Sequence, residues 1–236
     1  MPDSRVVQVA VVDYGMGNLF SVKLACEQAG LQAVITNSKR DVLSAAAVIL
    51  PGVGAFGAAM DALRELDLVE PLRDIAASRT PLVGICLGMQ LLLSESHEFG
   101  EHKGLGVIEG EVVRLQGSAD GRRFKVPQVG WNPIHSAGRE WKGSLLEGLA
   151  EGEFMYFVHS FYCKPADPGV VAATTRYGAL EFCASLRRRN VFACQFHPER
   201  SGREGLTIYR NLAAMINGAQ SKEHDVREVG IQIRTA

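Results

Sequence analysis

The sequence has no Cys-x-x-Cys pair, no marked excess of charge of either sign and no apolar run long enough to cross a bilayer. Each absence removes a class of function. Five cysteines in 236 residues, an odd count without close pairs, argue against a disulfide framework or a zinc site and for a reducing compartment. No metal and no cofactor is expected. Twenty-five Lys and Arg against 26 Asp and Glu leave a net charge of -1, so nothing in the charge favours nucleic acid or an anionic membrane. The basic run Arg187-Arg188-Arg189, followed by Asn190, reads as an exposed hairpin turn. Met1-Pro2-Asp3-Ser4-Arg5 leads straight into a strand with no apolar signal core, which makes a cytoplasmic protein the expectation.

What is present is a chain with 47% hydrophobic residues, enough to bury one large core. Val6 to Val12 reads as a buried strand, and Asn18 to Ala29 as an amphipathic helix closed by Gly30. Ala33 to Thr36, Ala47 to Leu50 and Leu82 to Ile85 read as further strands, with Ala58 to Leu66 and Leu72 to Ser78 helical between them. That alternation is the pattern of a parallel α/β core. From about residue 107 short strands predominate: Val107 to Leu115, Phe124 to Val126, Phe154 to Val158, Val170 to Thr175, Glu181 to Leu186 and Val191 to Gln195. The expected fold is α/β, a mostly parallel central sheet flanked by helices with an added mixed or antiparallel section. Gly202 to Met215 closes it as a helix, with Asn217-Gly218 as a stop. The tail from Gln220 to Ala236 reads as either a disordered extension or a short strand.

Cys86 sits where the apolar run Pro81 to Ile85 meets the helix-like run Leu87 to Leu93, in the pattern Gly-x-Cys-x-Gly. A side chain at the apex of a sharp strand-to-helix turn is crowded, and glycines at 84 and 88 remove the β-carbons that would clash. The following helix directs its positive end at the turn and favours a thiolate. Taken alone, the position fits a small buried hydrophobe equally well. Downstream, Gln195-Phe196-His197-Pro198-Glu199 places an imidazole and a carboxylate two residues apart in extended chain, able to leave the same face of a strand end. A carboxylate so placed fixes the tautomer of the histidine and stabilises its protonated form. Asp13-Tyr14-Gly15-Met16-Gly17-Asn18 superficially suggests a dinucleotide site, but the third glycine of that fingerprint would fall at Phe20, so nucleotide binding is rejected.

Gly84-Ile85-Cys86-Leu87-Gly88-Met89-Gln90 together with Gln195 to Glu199 resembles the nucleophile and base motifs of class I glutamine amidotransferases. Val12 to Leu19, Pro51 to Phe56 and Tyr156 to Tyr162 extend the resemblance, from about residue 6 to about 218. All five stretches, in this order, are similar to the glutaminase subunits that serve a cyclase in histidine biosynthesis. The resemblance implies a flavodoxin-like amidotransferase domain over residues 1–219 with 220–236 as a tail. It also implies hydrolysis of L-glutamine through a cysteine thioester, with catalytic roles for Cys86, His197 and Glu199. Backbone N–H groups of Val53 and Leu87 would form an oxyanion hole, and Gly52, Gly54, Gln90, Glu98, Ser160 and Phe161 would surround the substrate. The implied partner is a (β/α)8-barrel cyclase subunit in a 1:1 heterodimer, facing Asn18, Pro127, Trp131 and Tyr156. Gln128 stands where the family usually has histidine, and His159, with no carboxylate near it in sequence, reads as structural or interface-related.

Three rival readings stay open at this point. One is a glutaminase serving another synthase, such as sugar amidation in polysaccharide synthesis. A second is a cysteine hydrolase or chaperone of the related elbow-bearing superfamily, whose peptidase members place histidine directly after the cysteine where this chain has Leu87. The third is a non-catalytic binding subunit, against which the intact Cys86, His197 and Glu199 argue.

Overall fold

Four-residue apolar strands open the chain, and helices with one apolar face connect them. A computed structural model describes residues 8–119 and 122–232, with 119, 122, 123 and 219–232 as backbone only. In chain order these are β1 (Val9–Val12), α1 (Leu19–Gln28), β2 (Ala33–Thr36), α2 (Lys39–Ser44), β3 (Ala47–Leu50), α3 (Phe56–Glu65), α4 (Val69–Ala77), β4 (Leu82–Ile85) and α5 (Leu87–Leu91). Strands then dominate: β5 (Leu93–Ser96), β6 (His102–Lys103), β7 (Ile108–Arg114), β8 (Ser118–Ala119), β9 (Arg122–Arg123), β10 (Gln128–Ser136), β11 (Glu153–His159), β12 (Phe161–Pro165), β13 (Val171–Tyr177), β14 (Leu180–Arg188) and β15 (Val191–Cys194). Helix α6 (Gly202–Gln232) follows.

The main sheet has nine strands in the order β11-β10-β13-β14-β15-β4-β3-β1-β2. Its β2-β1-β3-β4-β15 half is parallel, and the remaining pairings are antiparallel. Strands β1, β3, β4 and β15 are buried along their whole length, as a parallel sheet covered on both faces requires. Alternate residues feed two cores. Ala10, Val12, Val48 and Leu50 join Met60 and Leu63 of α3 and Leu72 and Ile75 of α4. Val9, Val11, Ile49 and Val83 join Val22 and Cys26 of α1 and Ile208 and Leu212 of α6. A second sheet, β12-β7-β5-β6, packs beyond the first core.

Connectivity brings the two motifs together. Strand β4 lies between β3 and β15, parallel to both, with Leu50 beside Gly84 and Cys194 beside Ile85. The loops leaving the carboxyl ends of these three strands therefore meet, at the place where open α/β sheets bind ligands.

Several expected elements differ. Phe124 to Val126 is irregular rather than a strand. Helix α5 is only five residues long, because Leu93 already belongs to β5; the dipole argument for the thiolate is correspondingly weaker. Helix α6 runs through Asn217-Gly218 to Gln232. Gly218 is not among the glycines of positive φ that would end the helix, and the Ala, Gln, Lys and Glu that follow are strong helix formers. Residues 220–232 are thus helical rather than a strand, while Val6, Val7 and 233–236 lie outside the described residues.

Candidate active site

Cys86 has φ 53° and ψ -107°, a conformation that costs a non-glycine residue about 1–3 kcal/mol. Its neighbours hold it there. The Cys86 N–H donates to the Cys194 carbonyl at 2.8 Å, and the Cys86 carbonyl accepts from Met89 and Gln90 N–H at 3.0 and 3.2 Å. A β-carbon at 88 would lie 1.7 Å from the Leu50 carbonyl oxygen, and one at 84 would lie 2.9 Å from that of Gly88. Both positions require glycine because backbone, which cannot step aside, fills the space.

His197 and Glu199 follow β15 and reach the same corner. They meet through a turn of 3-10 helix at Pro198–Arg200, which His197 precedes in extended conformation, rather than through strand alternation. The His197 Nδ1 is 2.8 Å from Glu199 Oε1, and both side chains are almost wholly buried. Nε2 is buried without a full hydrogen bond but lies close enough for Cys86 to act on it. Burial works to lower the pKa of this imidazole, but hydrogen bonding and charge from Cys86 and Glu199 outweigh it and raise the pKa to about 10. The raised pKa favours the protonated form of His197 at neutral pH.

A cavity of about 270 Å³ opens over Cys86, and the lining includes Val53, Gly54, Leu87, Gln90, Glu98, Ser160 and Phe161, all singled out from the sequence. Gly52 lies behind this lining, against Tyr14 and Leu87. Gln90 is turned partly inward, its Nε2 donating to the Phe161 carbonyl at 2.9 Å and to Gln195 Oε1 at 3.1 Å. Glu98 Oε2 accepts the Phe56 N–H at 2.6 Å, so it caps α3 at the cavity wall.

The two backbone donors expected from the sequence do not converge. Leu87 N–H donates to the Gly52 carbonyl at 3.3 Å. In a trans peptide the N–H points opposite to the C=O, so the Val53 N–H is directed away from the place where Leu87 would meet an oxyanion. Both Val53 and Leu87 line the cavity, with the Leu87 donor bonded to the loop itself.

Comparison with known proteins agrees with this arrangement. The family model described as "Glutamine amidotransferase class-I" matches residues 10–215. The chain belongs to the class I glutamine amidotransferase family. Proteins named imidazole glycerol phosphate synthase subunit HisH are similar to it. The one from Rhodopirellula baltica is 46% identical over 207 residues, covering 87% of this chain and 96% of the relative. The one from Moorella thermoacetica is 43% identical over 216 residues, covering 92% and 99%. Among solved structures, one titled "Crystal structure of glutamine amidotransferase" has TM-score 0.67 at 24% identity over 89% of this chain and 99% of that one. "Structure of PurLQS from Thermotoga maritima" has TM-score 0.67 at 20% identity over 88% and 98%. At these identities the two structures bear on the fold alone.

Within this class I amidotransferase, sequence reasoning gave no separate role to Gln195, next to Cys86, and left His159 as structural or interface-related. Gln195 is fully buried and donates from Nε2 to Cys86 Sγ at 3.6 Å; its adjacency to the His-Pro-Glu run was the available signal. His159 lines the cavity, its Nδ1 2.9 Å from the Phe161 carbonyl. Burial drives its pKa down to about 4, against that hydrogen bond and with help from His197. It is a neutral imidazole, as a structural histidine would be. Of the residues expected to face a partner, one reaches the cavity. Pro127 lines the cavity, Trp131 and Tyr156 pair across β10 and β11 with ring centroids 6.0 Å apart, and exposed Asn18 caps α1.

Proposed function

We propose that this chain is the glutaminase subunit of imidazole glycerol phosphate synthase, hydrolysing L-glutamine to glutamate and passing the ammonia to a (β/α)8-barrel cyclase bound 1:1. The cyclase would use that nitrogen to make imidazole glycerol phosphate and an aminoimidazole carboxamide ribonucleotide in histidine biosynthesis. The observation that carries the reading is the buried Glu199–His197 pair acting on Cys86 at the elbow. The names of the relatives select the synthase among the class I enzymes.

In this mechanism the Cys86 sulfur attacks the side-chain amide carbon of glutamine, and the carbonyl electrons move to oxygen. Leu87 N–H, once released by Gly52, and Val53 N–H, once turned inward, stabilise that oxyanion, each donor contributing about 3 kcal/mol. Collapse expels ammonia, to which His197 gives its proton. His197 then takes a proton from water as it attacks the thioester, and glutamate leaves with Cys86 restored. Glu199 keeps Nδ1 protonated and Nε2 directed at sulfur. Glu98 and the carbonyls near Ser160 and Phe161 would receive the α-ammonium, and Gln90 would border the amino-acid end. The outward face of β10 and β11, where Val129, Trp131 and Phe154 are exposed, reaches the cavity at Pro127 and Val158 and would seat the cyclase. A cytoplasmic setting suits five free thiols; no helix among the described residues is long and apolar enough to cross a membrane.

The test is glutamate release by the chain reconstituted with the cyclase and its ribonucleotide ligand, beside Cys86→Ala and Cys86→Ser. Loss of at least about 10⁴-fold is expected for Cys86→Ala, with unchanged complex formation. Residual turnover near the unaltered rate would end the assignment of the nucleophile. Failure to bind the cyclase would redirect the glutaminase to another synthase.

A further inference from the structure

We infer that the Tyr14 hydroxyl is a clasp holding the Gly52–Val53 peptide in its resting orientation, which makes Tyr14 a positioning residue that sets the unstimulated rate of glutamine hydrolysis. The inference rests on the glutaminase reading above.

Tyr14 follows β1 and is buried in the core shared with α3 and α4. Its hydroxyl donates to the Pro51 carbonyl at 2.6 Å. A phenylalanine would fill the same apolar space, so the hydroxyl matters for what it bonds. It also stands directly against Gly52: a β-carbon there would lie 2.0 Å from the hydroxyl oxygen and 3.0 Å from Leu87 Cβ. Tyr14 and Leu87 therefore both close on the side of Gly52 where a side chain would stand, while its carbonyl occupies the Leu87 N–H.

Completing the oxyanion hole requires one rotation with two results. Turning the Gly52–Val53 peptide withdraws the carbonyl from Leu87 and brings the Val53 N–H inward. Such a turn changes ψ at Gly52, and the compensating shift of the adjoining Pro51–Gly52 peptide draws the Pro51 carbonyl away from Tyr14. In a buried site the hydroxyl and carbonyl would then be parted without water to replace them, so the bond opposes the turn. The other end of the loop is softer. A β-carbon at Gly54 would meet only the terminal methyl of Met16, at 2.5 Å, and a methionine side chain yields readily.

Tyr14→Phe removes the clasp and keeps the packing. The isolated Phe variant should release glutamate about five- to tenfold faster than the unaltered chain, with KM for glutamine changed less than twofold, while its melting temperature falls by a few degrees because the buried Pro51 carbonyl loses its donor. Replacing Tyr14 by 3-fluorotyrosine, a more acidic and stronger donor of the same shape, should slow the isolated chain. Opposite signs from the two variants would support the clasp, because loosened structure alone does not raise kcat. A folded Phe variant no faster than the unaltered chain, or a fluorinated chain that is not slower, would overturn it while leaving the glutaminase reading intact. If the Phe variant does not fold, the fluorinated chain decides by itself. Absence of glutamate from the unaltered chain, even with the cyclase and its ligand bound, would overturn the glutaminase reading and the clasp with it.

Discussion

At the ends of β4 and β15 the backbone is held from every side, whereas at the end of β3 one peptide is held by a single bond of 3.3 Å. Cys86 keeps an unfavourable φ of 53° because strand pairing, helix bonds and two close-packed glycines leave it no alternative. His197 and Glu199 are buried and already paired. The Pro51–Gly54 loop has Gly54 at φ 110°, an exposed Val53 and a carbonyl bonded to the Leu87 N–H. On the proposed mechanism, the nucleophile and base are built in advance, and stabilisation of the developing charge is left to a movable part. Such a division lets turnover be governed without disturbing the strained elbow, since an unassembled oxyanion hole withholds several kcal/mol from the transition state.

The comparison breaks first at Glu199. Glu199→Gln should lower kcat by about 10²- to 10⁴-fold with KM nearly constant, because the amide no longer favours the protonated imidazole and allows the wrong tautomer. Steady-state glutamate release in the complex reads this. A loss below tenfold would mean that His197 is oriented by something other than its carboxylate.

Glycine substitutions separate rigid from movable next. Gly88→Ala forces a β-carbon to 1.7 Å from a backbone oxygen and should cost about 3 kcal/mol or more in denaturant unfolding. Gly54→Ala meets only the end of Met16 and should cost about 1–2 kcal/mol, mostly from positive φ, while altering turnover more than stability. Equal losses of stability would erase the distinction between the corners.

Much of the rigid half was legible in the sequence. Gly84, Cys86 and Gly88 announce the elbow because steric exclusion acts within five residues, and the His-Pro-Glu run is equally local. The movable half was legible only as residue identities. No local pattern reveals that the Gly52 carbonyl points at Leu87, that Tyr14 holds Pro51, or that Glu98 caps α3 across 42 positions; these depend on which strands lie side by side. The length of α6 was misread for the opposite reason. Asn217-Gly218 is a valid local stop signal, overridden by good helix formers on both sides.

The two histidines at the cavity sharpen the contrast through pH. His159 is held near pKa 4 by burial, against a usual value of 6.5. Between those values the unfolded chain binds a proton that the folded chain refuses, so stability rises with pH across this window and falls on acidification from 6.5 toward 4. The contribution is at most about 3 kcal/mol. His159→Gln should flatten unfolding free energy against pH in that interval. An unchanged slope would mean that the buried imidazole accepts its proton without penalty. His197, whose pKa is raised, stays protonated in the folded chain through the same interval, and the stability this lends is lost only as pH rises from about 6 upward, so it adds little slope in the lower part of the window.

The smallest effect is expected farthest from the sulfur, on the β10–β11 edge. Val129, Trp131 and Phe154 are exposed on its outward face, and Trp131 stands across from Tyr156, whose ring also lies 5.7 Å from the Arg200 guanidinium carbon. The opposite edge of the sheet, β2, offers only a lone exposed Val34. A cluster of this kind suits the docking proposed for the cyclase, whereas scattered apolar residues are ordinary. Trp131 is 52% exposed, so Trp131→Ala removes little that folding buries, and the melting temperature of the isolated chain should hardly move. Affinity for the cyclase should fall by about 1–2 kcal/mol, the loss expected of a central aromatic anchor. Titration calorimetry of the two subunits measures it. Undiminished affinity would place the cyclase elsewhere, and a large fall in melting temperature would make Trp131 part of the rigid half of the molecule.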